Sequence, residues 1–178
     1  MQKPKVYLAA PFFNDEQLGL VKSLEYLIKE VGYELFSPRL GENALEMNSA
    51  IGRGEKPSQE LRRQVFMDNW MNIDDADLMV AVIDDRDSGT VWEIGYAFAR
   101  HVPIITFTNK GYGSNLMLAE CIIAHIKSFD DLLEALKLGF PRLALGVKVS
   151  DYGKAVAEIQ YKFKTEVDLM EGPKEHES

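Results

Sequence analysis

The sequence predicts an α/β fold, a parallel sheet of about five strands with helices packed on both faces. Three observations predict it. Short apolar runs with no polar alternation recur along the chain, as they do in strands buried on both faces. Amphipathic stretches with capping residues lie between them, and strand and helix alternate from Lys5 to Leu138. A parallel sheet of this kind gathers its ligands at the carboxyl ends of its strands.

The first strand is Lys5 to Ala10, emptying into Pro11-Phe12-Phe13. Asn14 then caps an amphipathic helix in which Leu18, Val21, Leu24, Leu27, Ile28 and Val31 hold a 3.6-residue period, and Gly32 closes it. Tyr33 to Ser37 is the second strand. From Pro38 to Pro57 the chain is polar, carries three glycines and shows no sustained period, so a long functional or mobile connection is expected there. Ser58 caps the next helix, which runs through Leu61, Val65, Phe66, Asn69, Trp70 and Ile73.

Leu78 to Ile83 is the third strand, Val91 to Arg100 the third helix and Pro103 to Phe107 the fourth strand. Asn115 caps an apolar helix from Leu116 to Ile123, a short fifth strand begins at Ile126, and Phe129 to Leu138 is helical. Gly139 to Ser150 reads as a loop. Residues 151–169 carry a further helical pattern, and 171–178 read as a disordered tail. The expectation is a single domain over residues 1–170 with a three-layer, doubly wound, flavodoxin- or Rossmann-like sheet.

Composition narrows the function. Twenty basic against twenty-eight acidic residues give a net charge of −8, a field that repels phosphate backbones and anionic lipid, so neither nucleic acid nor membrane is expected as partner. With 46% hydrophobic and 27% charged residues, no membrane-length apolar run and no basic-then-apolar leader, a cytoplasmic protein is expected. The single cysteine, Cys121, sits in an apolar context that reads as packing.

The stretch that invites chemistry is Asp84 to Ala97. Three acids fall within four residues, a glycine follows, and a mostly apolar segment then holds one carboxylate, Glu93. Thr90-x-x-Glu93 also fits a capping box, in which Glu93 would only satisfy backbone donors. Gly89 and Gly95 allow close approach, and Trp92 and Tyr96 are expected as aromatic walls. The strand-end rule gathers Tyr7, Phe12, Phe13, Arg39, Asp84 to Glu93 and Thr108 to Asn115 around one crevice.

No G-x-G-x-x-G follows the first strand and no G-x-x-x-x-G-K-[ST] occurs, which disfavours dinucleotide and P-loop chemistry. His101, His125 and His176 are scattered and the cysteine stands alone, so no metal and no cofactor are expected. Ser88 lacks the G-x-S-x-G frame of a hydrolase elbow. Carboxylate, aromatic and amide chemistry remain, and a carboxylate nucleophile suits glycosyl transfer through a carbocation-like sugar.

Val6 to Phe13, Ala76-Asp77-Leu78, Asp87-Ser88-Gly89-Thr90-Val91-Trp92-Glu93-Ile94-Gly95-Tyr96-Ala97 and Asn115-Leu116-Met117 together resemble the nucleoside 2-deoxyribosyltransferases over about residues 5–137. The resemblance implies that Glu93 attacks the anomeric carbon of a 2-deoxyribonucleoside, forming a covalent deoxyribosyl-enzyme that a second base collects with net retention. It implies that Tyr7 orients Glu93, that Asp87 meets the sugar 5′ end, that Phe12 and Phe13 stack on the base, and that Asn115 reaches the 5′-hydroxyl held by a neighbouring subunit. A homo-oligomer, a dimer or a hexamer built as a trimer of dimers, is therefore expected, with deoxyribonucleosides and free nucleobases as small-molecule partners.

Gly89, Arg39 and Met117 complete the expected substrate-binding set. Where relatives commonly carry the aspartate that handles the leaving base's proton, this chain has Asn69, with Asp68 beside it. An amide can hydrogen-bond a base but is no general acid at neutral pH, so either Asp68 takes over or base protonation is handled differently. Two other readings stand beside transfer: N-glycoside hydrolysis of nucleoside 5′-monophosphates on the same fold, and a nucleoside-binding module without turnover.

Overall fold

The computed structural model describes residues 3–138; the expected C-terminal helix and tail lie outside the described residues. Five strands, β1 (Lys5–Ala9), β2 (Glu34–Phe36), β3 (Leu78–Val82), β4 (Ile104–Phe107) and β5 (Ala124–Ile126), form one sheet in the order β2-β1-β3-β4-β5 with every pairing parallel. The chain steps outward from β1 in one direction to β2 and in the other to β3. The carboxyl ends of β1 and β3 therefore bound the crevice where the winding reverses.

Strand alternation sorts side chains to the two faces. Val6, Leu8, Val80, Val82, Ile105 and Phe107 pack with Val21, Leu24 and Ile28 of α1 (Asp15–Val31) and with Leu132 and Leu136 of α6 (Phe129–Leu138). Tyr7, Ala9, Met79, Ala81 and Ile104 turn the other way. They meet Ile73 of α3 (Gln59–Asp74) and Ile94 and Ala97 of α4 (Ser88–Ala99). Tyr7 thus belongs to the layer that carries Glu93.

The capping signals act as the sequence indicates. Asn14 accepts from the Gln17 amide, Ser58 from Leu61 and Asn115 from Leu118, and Gly32 takes the left-handed conformation at φ 101° that ends α1. α5 is short, Leu116–Cys121, and β5 begins two residues before the expected Ile126.

Two expectations are corrected. The stretch from Pro38 to Pro57 is mostly helical, a 3₁₀ turn over Pro38–Leu40 followed by α2 (Glu42–Gly52). Its first-turn cap is Gly41 with no side-chain bond, and only the small Ala44 and Ala50 are buried, so neither a cap nor an apolar stripe announces it. The helix expected from Val91 begins instead at Ser88, because Asp87 is its N-cap. The capping box on Thr90 does not form, and Glu93 lies in the second turn.

Among the described residues, no helix is long and apolar enough to cross a membrane.

Candidate active site

The turn from β3 into α4 sorts the acids of the opening cluster into separate roles. Asp84 is buried and accepts from the Thr108 hydroxyl and from the Asn109 and Lys110 backbone amides, pinning the loop after β4. Asp85 faces outward to Gln17 and Lys110, and those bonds hold its carboxyl below the usual range. Arg86 adopts φ 48°, a left-handed turn rare outside glycine, and Asp87 follows it. One Asp87 oxygen accepts from the Thr90 amide at 2.8 Å and its hydroxyl at 3.1 Å.

Glu93 rises from α4 toward the sheet, where the Tyr7 hydroxyl donates to its Oε1 at 2.6 Å. Burial pushes the Glu93 carboxyl up to about 7; the Tyr7 bond opposes that shift, and the negative charge of Asp87 adds to it. Burial, reinforced by the Glu93 charge and hydrogen bond, holds the Tyr7 phenol far above its ordinary value. Tyr7 is therefore a permanent donor, and Glu93 is a carboxylate poised near neutrality.

A cleft of about 220 Å³ opens beside Glu93. The first half of α4 forms one wall with Asp87, Gly89, Thr90 and Glu93, and the loop after β1 adds Phe12 and Phe13, whose rings stack at 5.5 Å. The facing wall comes from α2 and α3, with Met47, Asn48, Val65 and Asn69. A Cβ on Gly89 would stand 3.0 Å from Asp87 Oδ2, so a side chain there would crowd the cap.

The cleft thus brings together Glu93, Asp87, Asn69, Phe12, Phe13 and Gly89, with Tyr7 behind Glu93. Other residues expected in the crevice stand elsewhere. Asp68 accepts from Asn43 at 2.8 Å and is not on the cleft wall. Arg39 is also off it, because its guanidinium is committed to the buried carboxylate of Glu25 through both Nε and Nη2.

Asn115 lines a neighbouring cleft of about 180 Å³ that shares Asp87 and Thr90 with the first, and Met117 is 73% exposed. Trp92 and Tyr96 do not wall the site. They stack on each other at 5.5 Å on the α3 side of α4, where the Tyr96 hydroxyl meets Trp70 and Asp74. Sequence reasoning missed Asn48 and Met47, which lie in the helix it did not find. Among the described residues no group of histidine, cysteine, aspartate or glutamate side chains is arranged to hold a metal ion.

The family model for nucleoside 2-deoxyribosyltransferase matches residues 6–156. A putative 2′-deoxynucleoside 5′-phosphate N-hydrolase 1 of Thermofilum pendens (strain DSM 2475 / Hrk 5) is 31% identical over 102 residues, 57% of this chain and 65% of that protein, so the chain spans less than two thirds of that relative. Among solved structures, a 2-deoxyribosyltransferase from Bacillus psychrosaccharolyticus is similar at 33% identity and a TM-score of 0.62, over 72% of this chain and 90% of that one. A conserved protein from Enterococcus faecalis V583, 20% identical with a TM-score of 0.57 over 74% and 96% of the two chains, shares the fold. With a carboxylate, its tyrosine donor and an aspartate cap gathered at the switch point, and a family match that runs across most of its length, the chain belongs to the nucleoside 2-deoxyribosyltransferase family.

Proposed function

We propose that the protein transfers the 2-deoxyribosyl group between nucleobases, with Glu93 as nucleophile. The observation that carries this reading is the 2.6 Å bond from Tyr7 to Glu93 Oε1, which fixes one carboxylate oxygen and leaves Glu93 on the wall of a cleft with Asp87. Glu93 attacks the anomeric carbon, a C–O bond forms as the C–N bond breaks, and the base leaves with the electron pair. The ring nitrogen of an acceptor base then attacks the same carbon and gives up its N–H proton to solvent, the carboxylate departs with the C–O electron pair, and two inversions give net retention.

Asp87 accepts from α4 through one oxygen and meets the 5′-hydroxyl of the sugar as acceptor, while Phe12 and Phe13 form the stacking surface for the base. Asn115 and Met117 serve the site of a second copy of the chain. Their positions off the Glu93 cleft, with Met117 exposed, support a homo-oligomer with shared sites.

The similarity to a deoxynucleoside 5′-phosphate N-hydrolase supports a second reading, in which water replaces the acceptor base. Asp87 argues against it, since a carboxylate at the 5′ end repels a phosphate. Incubation of thymidine with adenine, against deoxynucleoside monophosphate alone, separates the two. Formation of deoxyadenosine supports transfer; release of free sugar phosphate with no base exchange reverses the order.

A further inference from the structure

If Glu93 faces the anomeric carbon and Asp87 the far end of the sugar, the base extends toward α2 and α3. The polar side chains on that wall are two amides, Asn48 and Asn69; the rest is Pro38, Ala44, Met47 and Val65. Neither amide is engaged in a hydrogen bond with another described residue. Among the described residues, the ionisable side chains lining the cleft are Asp87 and Glu93, which the transferase reading assigns to the sugar.

The neighbouring candidates for a proton donor are occupied or remote. Asp68 is tied to Asn43 off the cleft wall, and Tyr7 donates to Glu93. Arg39 is paired with Glu25, and His125 lies in β5 between Thr106 and the Tyr112 carbonyl.

We propose, resting on the transferase reading, that Asn48 and Asn69 hold the edge of the base by hydrogen bonds and that the base departs without a protein acid. The C–N electron pair goes to the base nitrogen, which takes its proton from water, and the hydroxide left is neutralised by buffer. Amides offer donor and acceptor without titrating, so they fix the base but cannot share its developing negative charge by proton transfer. The site therefore selects donors by the acidity of the departing base and favours deoxynucleosides of electron-poor bases such as 5-halogenated uracils.

The test is single-turnover base release from thymidine, 2′-deoxyuridine, and 5-fluoro- and 5-bromo-2′-deoxyuridine, which share shape and differ in base acidity. Rates are expected to rise steeply as base pKa falls, by up to about tenfold per unit in the limit of full charge on the departing base. Asn69→Asp, with Asn48→Asp as second variant should the first not fold, introduces an acid at the base end. It is expected to speed thymine release by tenfold or more, toward the roughly 10²-fold of a positioned acid, and to flatten the series.

A wild-type series spanning less than about threefold, with exchange intact, overturns the proposal and leaves the transferase reading standing. An unchanged steep series in the aspartate variant that folds overturns the placement of the amides against the base. Failure to release any base refutes the transferase reading itself.

Discussion

The Tyr7 hydroxyl stands 2.6 Å from Glu93 Oε1, joining the middle of the first strand to the second turn of α4. Tyr7 is fully buried and its phenol stays protonated, so the bond favours the ionised carboxylate. Tyr7→Phe removes that donor without a large change in volume. Base exchange is expected to fall on the order of 10- to 100-fold, and the acidic limb of the pH profile to move upward, because the bond that lowers the Glu93 value is gone. Steady-state rates from pH 5 to 9 check both.

With the Glu93 carboxyl raised to about 7, the proposed role of Glu93 as nucleophile predicts the pH dependence of the wild type. A nucleophile must be ionised, so kcat/KM for the nucleoside should climb about tenfold per pH unit below 7 and level above it. A limb near pH 4.5 would show a Glu93 that ionises as in water.

The same shift has a consequence for stability. A carboxyl whose value is raised on folding favours the folded state below its unfolded value near 4.5, and that contribution is lost as pH rises through about 7. Glu93→Gln cannot charge. Its stability relative to wild type should therefore grow between pH 4.5 and 7 by about 3 kcal/mol and stay constant above. Urea melts of both proteins from pH 4 to 8 measure the difference; a difference that does not vary with pH contradicts the burial of charge.

Asp87 serves two structures at once, the helix start and the cleft. Asp87→Ser keeps an N-cap side chain, so stability should change by only a few tenths of a kcal/mol. Removing the carboxylate should raise kcat/KM for deoxynucleoside 5′-monophosphates at least about tenfold relative to the nucleosides. Competition between thymidine and its 5′-phosphate reads the switch.

Arg39 separates a structural cation from a binding one. Its buried pairing with Glu25 implies that Arg39→Met destabilises the fold by about 3 kcal/mol by leaving the Glu25 charge uncompensated. The ranking of donor bases should not change, since the guanidinium is off the cleft wall. Thermal melts and a base-exchange panel check the two halves.

Strand positions and capping residues were legible because they follow local rules. The apolar run Leu78 to Val82 has no exposed residue, and Asn14, Ser58 and Asn115 each cap the helix they precede. Tyr7 and Glu93 could be named from motif and strand-end geometry, while their contact depends on the register that puts Tyr7 on the α4 face. α2 was hidden by its glycine cap and its small buried alanines, and with it Asn48.

Arg39 misled because a cation near a strand end looks the same in sequence whether its partner is a ligand or, as here, a glutamate fourteen residues earlier. Trp92 and Tyr96 flank Glu93 in sequence but point around the helix to α3, a direction that spacing alone does not give for a helix whose start is misplaced by three residues.

The most direct test of the account is the covalent state of Glu93. Wild-type protein mixed with a 2′-deoxynucleoside, quenched in acid within the first turnover and digested, should yield a peptide containing Glu93 heavier by one deoxyribosyl group. Glu93→Gln should give no adduct and lose base exchange by several orders of magnitude, in keeping with removal of a covalent nucleophile, while retaining the fold. An unmodified Glu93 peptide together with an active Glu93→Gln protein would contradict the account.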